Sequence, residues 1–158
     1  MQKGFATLEI ILMTFIIVVI FSVAVPNANR MIDRVALDYE TKKIYTDLRF
    51  MQSQGRMTHM FDSHFYTESE TPITLIVYPK RYILRNNSTS EIHVEHYFSH
   101  GVTASQKNFT EYWQIQFDDM GKVTPAESGT LKLNSRLGKN SYIIFDSVGR
   151  FRGGLTDE

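Results

Sequence analysis

The sequence predicts an α+β fold in which one long N-terminal helix, first apolar and then amphipathic, packs on a C-terminal antiparallel β-sheet. Three observations support it: a run without charge from Ile10 to Val25, a helical apolar stripe with no Pro or Gly from Arg30 until Gly55, and a change to strand-like alternation beyond Met57.

With Phe5 to Leu8, the apolar run is about 21 residues, roughly 30 Å as a helix, which matches the hydrocarbon core of a bilayer. A secretory signal peptide is the competing reading, since "FSVAVPNA" (Phe21 to Ala28) has small residues where cleavage would fall. Lys3 lies on one side of the run and Arg30 and Arg34 on the other, so charge counting does not fix an orientation. Glu9 is the exception inside the run. An ionised carboxylate at mid-bilayer costs about 2.5 to 3.5 kcal/mol, less near a helix end. On its own Glu9 reads as an interfacial residue favoured by the helix dipole.

Pro26 removes a backbone hydrogen bond and is expected to bend the helix where it leaves lipid. Beyond it, Leu37, Ile44, Leu48 and Met51 recur at near-helical spacing, with Tyr45 one step away, forming a stripe able to pack on a sheet. Asp38, Glu40, Lys42, Lys43, Asp47 and Arg49 are assigned to a solvated face. "FDSHFYTESETP" (Phe61 to Pro72) is the expected loop into the sheet.

Strands are expected at Ile73 to Pro79, Arg81 to Arg85 and Glu91 to Phe98, a meander whose first turn is a tight Pro-Lys connection. Three more are expected at Trp113 to Phe117, Gly129 to Leu133 and Ser141 to Phe145. Gly121 and Gly149 sit where a hairpin turn needs positive φ. No internal repeat is evident, and "FRGGLTDE" (Phe151 to Glu158) reads as a frayed tail.

Composition narrows the chemistry. The 17 basic and 17 acidic residues cancel, so no global field favours nucleic acid or an anionic surface, and with no cysteine there are no disulfides, thiolate metal sites or cysteine nucleophiles. His93, His96 and His100 invite a zinc reading, but on a strand His93 and His96 point to opposite faces, and surface or interface histidines are expected instead. Asp118 and Asp119 could take calcium, although Asp is also the residue a β-turn favours. Two small basic-aromatic sets, Lys80, Arg81, Tyr82 and Arg85, and Arg150, Phe151 and Arg152, are candidate DNA contacts that read better as solubilising residues beside turns. No phosphate loop, nucleophile elbow or paired-acid site stands out, so the chain is expected to be neither an enzyme nor a cofactor binder.

The N-terminal pattern Gly4-Phe5-Ala6-Thr7-Leu8-Glu9, followed by the apolar run and Pro26, resembles the class III signal of type IV pilins and pseudopilins. "WQIQFDDMGKV", "GTLKL" and "SYIIFDSVGRFR" resemble phrases of GspH/FimT-type minor pseudopilins of type II secretion and of ComGD-like pseudopilins of DNA-uptake machines. The first resemblance covers about 25 residues. It implies a pilin-like fold, prepilin peptidase cleavage between Gly4 and Phe5, and N-methylation of Phe5. It also implies that Glu9 pairs with the N-terminal amine of a neighbouring subunit during assembly. A carboxylate near hydrocarbon is tolerable once a cation neutralises it, and that amine is the cation the apolar segment would offer.

The division that follows is a leader over residues 1–4, a transmembrane and filament-core helix over 5–26, an amphipathic helix over 27–57 and a β-rich domain over 58–158. The expected function is that of a minor pseudopilin in a short pilus-like filament of a type II secretion or competence system. Its expected partners are the peptidase, other pseudopilins, an inner-membrane assembly platform and membrane lipid. Its place is the cytoplasmic membrane, single-pass, with the N-terminus cytoplasmic. The alternatives are a membrane-anchored module that binds DNA or an exported protein and, more distantly, an enzyme on an uncleaved anchor.

Overall fold

The structure, a computed structural model, describes residues 3–61, 73–87, 89–105, 112–118, 120–124 and 129–156; the side chains of 3–6, 57–61, 124, 155 and 156 are outside that description. Helix α1, Lys3–Phe61, is 59 residues long and continues through Pro26. Its two halves meet different surroundings. From Leu8 to Val25 its large apolar side chains are between 47% and 68% exposed, whereas Ala36, Leu37, Ile44, Leu48 and Met51 in the second half are buried. From Leu37 the spacings of seven, four and three residues put that second set on one face, where it forms the floor of the core.

Among the described residues nine strands follow: β1 Ile73–Val77, β2 Arg81–Asn86, β3 Ile92–Tyr97, β4 Thr103–Ser105, β5 Trp113–Phe117, β6 Val123–Thr124, β7 Gly129–Asn134, β8 Asn140–Phe145 and β9 Phe151–Thr156. They divide between two antiparallel sheets, ordered β3-β2-β1-β5-β6 and β4-β7-β8-β9, and α1 packs on both. Inward residues alternate along the strands: Leu75 and Val77, Tyr82 and Leu84, Ile115 and Phe117, Leu131 and Leu133, Ile143 and Phe145 are all buried in one cluster with α1. The Trp113 ring stacks on Phe145 at 4.9 Å between centroids, joining β5 of one sheet to β8 of the other. On the helix side Tyr45 meets Phe151 edge-on at 5.1 Å.

The meander over β1 to β3 forms as expected, with the Tyr78 N–H donating to the Arg81 carbonyl across the Pro-Lys turn. The expected loop between helix and sheet lies almost wholly outside the described residues. The C-terminal segment corrects the frayed-tail expectation: Phe151 to Thr156 pair with β8 over six residues. Two glycines in "FRGGLT" hide the strand pattern, and the ladder with β8 supplies the stability that propensity lacks.

A five-residue turn is used three times, at Asp118 to Lys122, Ser135 to Lys139 and Asp146 to Arg150. In each, the first N–H donates to the fifth carbonyl, at 2.9, 2.8 and 3.0 Å, and the glycine N–H donates back to the first carbonyl. The glycines Gly121, Gly138 and Gly149 have φ of 75°, 84° and 83°, the left-handed conformation expected of the first and third. Each leading Asp or Ser also accepts the N–H of the basic residue closing the turn. The repeat is too short to appear as a fold-level period, and it sets three of the hairpins.

Candidate functional site

The residues singled out at the N-terminus all lie on one element. Gly4 and Phe5 are in the first turn of α1, Glu9 follows one turn later, and Pro26 falls inside the helix. Glu9 is exposed and has no ion-pair or hydrogen-bond partner among the described residues. The helix carrying it is long and apolar enough to cross a membrane, and none of that apolar window is buried among the described residues. Two hydroxyls bond back along this stretch, Thr14 Oγ1 to the carbonyls of Ile10 and Ile11 and Ser22 Oγ to that of Val19, so both are satisfied within the helix.

Further along the same helix the solvated-face expectation fails at Glu40, which is 0% exposed. His96 Nε2 lies 2.7 Å from Glu40 Oε2, while the N–H and hydroxyl of Ser99 donate to Oε1 at 2.9 and 2.7 Å. A carboxylate with three donors is affordable in the core where a bare one is not. Glu40 falls three residues after Leu37 and four before Ile44, on the apolar stripe itself, and that position was the readable sign of its burial. The Ser99 hydroxyl is spent on the carboxylate and not on the imidazole, so the trio ties β3 and its following turn to α1 instead of activating a nucleophile.

Asp47, half-buried two turns further along nearly the same face of α1, accepts the Tyr82 hydroxyl. Burial first, and then that carboxylate, push the Tyr82 phenol well above the ordinary tyrosine range. Gln52 completes the series, its Nε2 donating to the carbonyls of Gly121 and Gly149 at 2.9 and 2.7 Å. One amide thereby holds a hairpin from each sheet against the helix. Sequence reasoning missed Gln52, and a lone Gln on a polar stretch gives no sign of such a role.

The remaining candidates resolve locally. His93 and His96 do point apart, one exposed and the other toward α1, and among the described residues no three His or carboxylate side chains converge on a metal position. Asp118 is engaged by the N–H groups of Met120 and Lys122, as a turn residue should be, and Asp119 is outside the description. The two DNA sets lose their aromatic members to the core, since Tyr82 and Phe151 are both buried. Arg81 is held by Glu95 and lies over the Tyr78 and Tyr97 rings at 5.1 and 5.7 Å, and Arg150 is held by Asp146 at 2.8 Å.

The architecture is similar to that of two crystal structures of the type IV minor pilin FimU of Pseudomonas aeruginosa strain PAO1. The TM-scores are 0.54 and 0.55, at 12% and 14% sequence identity, over 77% and 79% of this chain and 98% and 96% of FimU. The chain has the type IV pilin fold. No protein-family model and no curated protein matches the sequence. The Glu40 trio, Asp47 and Gln52 attach the β half to the helix, and among the described residues the apolar N-terminal half of α1 stays exposed.

Proposed function

We propose that the chain is a minor pseudopilin, trimmed by a prepilin peptidase between Gly4 and Phe5, methylated at Phe5 and assembled into a short pilus-like filament of a type II secretion or competence DNA-uptake system. The observation that carries this is the division of α1: its second half is built into the core, while its first half exposes a full span of apolar side chains and a carboxylate without a partner among the described residues.

In this reading residues 1–4 are the leader, 5–26 anchor the subunit in the cytoplasmic membrane and then become filament core, 27–57 form the stalk, and 58–158 face away from the cytoplasm. Pro26 lets the helix bend at the boundary. An assembly platform draws the apolar helix out of lipid into a bundle of pseudopilin helices. Apolar burial changes little between those two environments, so packing and polar pairing decide register. Glu9 supplies the polar term: its carboxylate neutralises the Phe5 amine of the neighbouring subunit, removing two uncompensated charges from an apolar setting at once.

Mass spectrometry of the membrane form, isolated from cells containing the peptidase, is expected to find a chain beginning at methylated Phe5. Retention of Met1 to Gly4 overturns the assignment. With Glu9→Ala, membrane insertion and cleavage are expected to persist while incorporation into filaments is lost, and normal incorporation removes the pairing role. A membrane-anchored binding module is the second reading. Burial of Tyr82 and Phe151 favours an exported polypeptide over DNA as its ligand, and a gel shift at low salt tests the DNA form.

A further inference from the structure

Among the described residues the two sheets have four edges, β3 and β6 in the first and β4 and β9 in the second. Natural proteins guard such edges by keeping them short, charged or irregular. β6 is two residues long and β4 three, and β3 carries Glu95 and two histidines opposite an irregularity at Leu84 and Arg85. β9 has none of these devices beyond a single charge. It is six residues long, pairs with β8 in unbroken register, and its sequence, FRGGLT, has one charge, no proline and two adjacent glycines.

The direction of its free backbone groups follows from hydrogen bonds already described. The Asp146 N–H donates to the Arg150 carbonyl, so along the antiparallel ladder Arg152, Gly154 and Thr156 face β8. The other side of β8 gives the same phase: the Ser135 to Lys139 bond turns Ser141, Ile143 and Phe145 toward β7, leaving Asn140, Tyr142 and Ile144 for β9. The N–H and C=O groups of Phe151, Gly153 and Leu155 therefore point outward, and both Gly153 and Gly154 are exposed.

We propose that β9 is an acceptor edge, to which an extended segment of another polypeptide adds as a fifth strand of the second sheet. A row of alternate outward N–H and C=O groups is complementary to another extended backbone. Side chains around the edge define the segment further. A Tyr45 ring carbon lies 3.7 Å from where a Cβ on Gly153 would sit, so a residue of the incoming strand beside Gly153 on the helix side meets an aromatic wall and should be apolar. Arg49 is exposed and lies over the Tyr45 and Phe151 rings at 5.2 and 5.5 Å. Arg152 is exposed on the strand itself, and among the described residues neither arginine has a carboxylate partner. Arg49 lies on the helix side of β9 and Arg152 on its other face, so acidic residues of the incoming strand beside the start of β9 meet one arginine on each face. On the other face nothing approaches within 4 Å of a Cβ on Gly154, which leaves room for a large side chain. The occupant is an extended segment, apolar where it lies beside Gly153 and acidic where it lies beside the start of β9. None of this depends on assembly into a filament.

Amide hydrogen exchange on the full chain in detergent micelles tests the edge. In the free protein the amides of Arg152 and Gly154 are expected to exchange slowly and those of Gly153 and Leu155 quickly; protection of the latter pair in the free protein overturns the proposal. A capped peptide, Glu-Val-Thr-Tyr-Thr-Val-Glu, is expected to slow Gly153 and Leu155 roughly tenfold at ten times its Kd, leaving β3 unaffected. No slowing at millimolar peptide, or equal slowing by the same peptide with proline in place of both threonines, overturns it. Gly153→Pro removes an outward N–H that β8 does not use, so the melting temperature is expected to hold while peptide binding is lost. Full binding by a folded Gly153→Pro chain overturns the proposal, and the proline-peptide control decides the matter if that variant does not fold.

Discussion

Glu9 and Glu40 are the same side chain on the same helix in opposite conditions. Glu40 is fully buried and holds three donors from β3 and the turn after it, whereas Glu9 is exposed and meets no partner among the described residues. A buried carboxylate must have its hydrogen bonds supplied by the fold, and Glu40 does. A carboxylate on an apolar surface is tolerable in water but becomes costly when that surface is covered, so Glu9 is cheap only while its segment has no final environment. The second half of α1 is thus finished by its own chain, and the first half is not.

The largest expected effect contrasts the two halves directly. Leu48 is fully buried, so Leu48→Ala is expected to destabilise the β half by about 2 to 5 kcal/mol through lost burial and a cavity. Ile16→Ala, on a side chain 48% exposed, is expected to leave the unfolding of that half unchanged. Denaturant unfolding in micelles, followed by the near-ultraviolet signal of Trp113, reads both. A comparable loss from Ile16→Ala would mean that the first half does contact the β domain.

The paired carboxylates sharpen the contrast at smaller scale. Glu40→Ala leaves the N–H and hydroxyl of Ser99 and the His96 ring without their acceptor, at an expected cost of about 3 kcal/mol. Glu9→Ala is expected to shift the same unfolding curve not at all. Two glycines of the repeated turn give a third pair. Gly138 and Gly149 share a left-handed φ, but a Cβ on Gly138 meets nothing within 4 Å, while one on Gly149 falls 2.0 Å from the Gly121 carbonyl oxygen. Gly138→Ala is expected to cost about 1 kcal/mol for conformation alone. Gly149→Ala adds about 1 to 3 kcal/mol of overpacking where the two hairpins meet at Gln52. Equal melting temperatures for the two variants would remove the close approach as the cause.

What the sequence made legible follows the same division. Spacing alone located Leu37, Ile44, Leu48 and Met51 on the buried face, and turn chemistry located Gly121 and Gly149, because both depend on local geometry. Residue type alone marks Glu40 as a solvated charge, whereas its position between Leu37 and Ile44 places it inward. β9 was lost because two glycines remove the alternation that marks a strand, and only pairing with β8 restores it. The partition into two sheets has no counterpart in sequence periodicity, since every strand alternates in the same way whichever sheet it joins. For Glu9 the opposite holds: the meaning offered for it comes from the N-terminal pattern, and the fold contributes only the absence of a rival partner among the described residues.

The smallest effect concerns Tyr82, which binds the meander to the finished half of the helix through Asp47. Its phenol is held above the ordinary range, so the folded chain keeps a proton that the unfolded chain releases near pH 10. The stabilisation from this group is therefore complete below about pH 10 and falls as pH rises beyond it, because the unfolded state then binds fewer protons than the native one. Tyr82→Phe keeps the buried ring and deletes the titrating hydroxyl. Below pH 9 it is expected to cost about 1 kcal/mol for the lost hydrogen bond. Asp47 keeps the Lys43 ammonium at 3.5 Å, which limits the damage. Above pH 10 the difference between the two proteins should shrink and then reverse in sign, since the wild-type chain alone carries the growing penalty. Urea midpoints collected at pH 8, 9, 10 and 11 on both proteins decide it: parallel profiles would mean that Tyr82 ionises as freely in the folded chain as in the unfolded one, and that neither burial nor Asp47 restrains it.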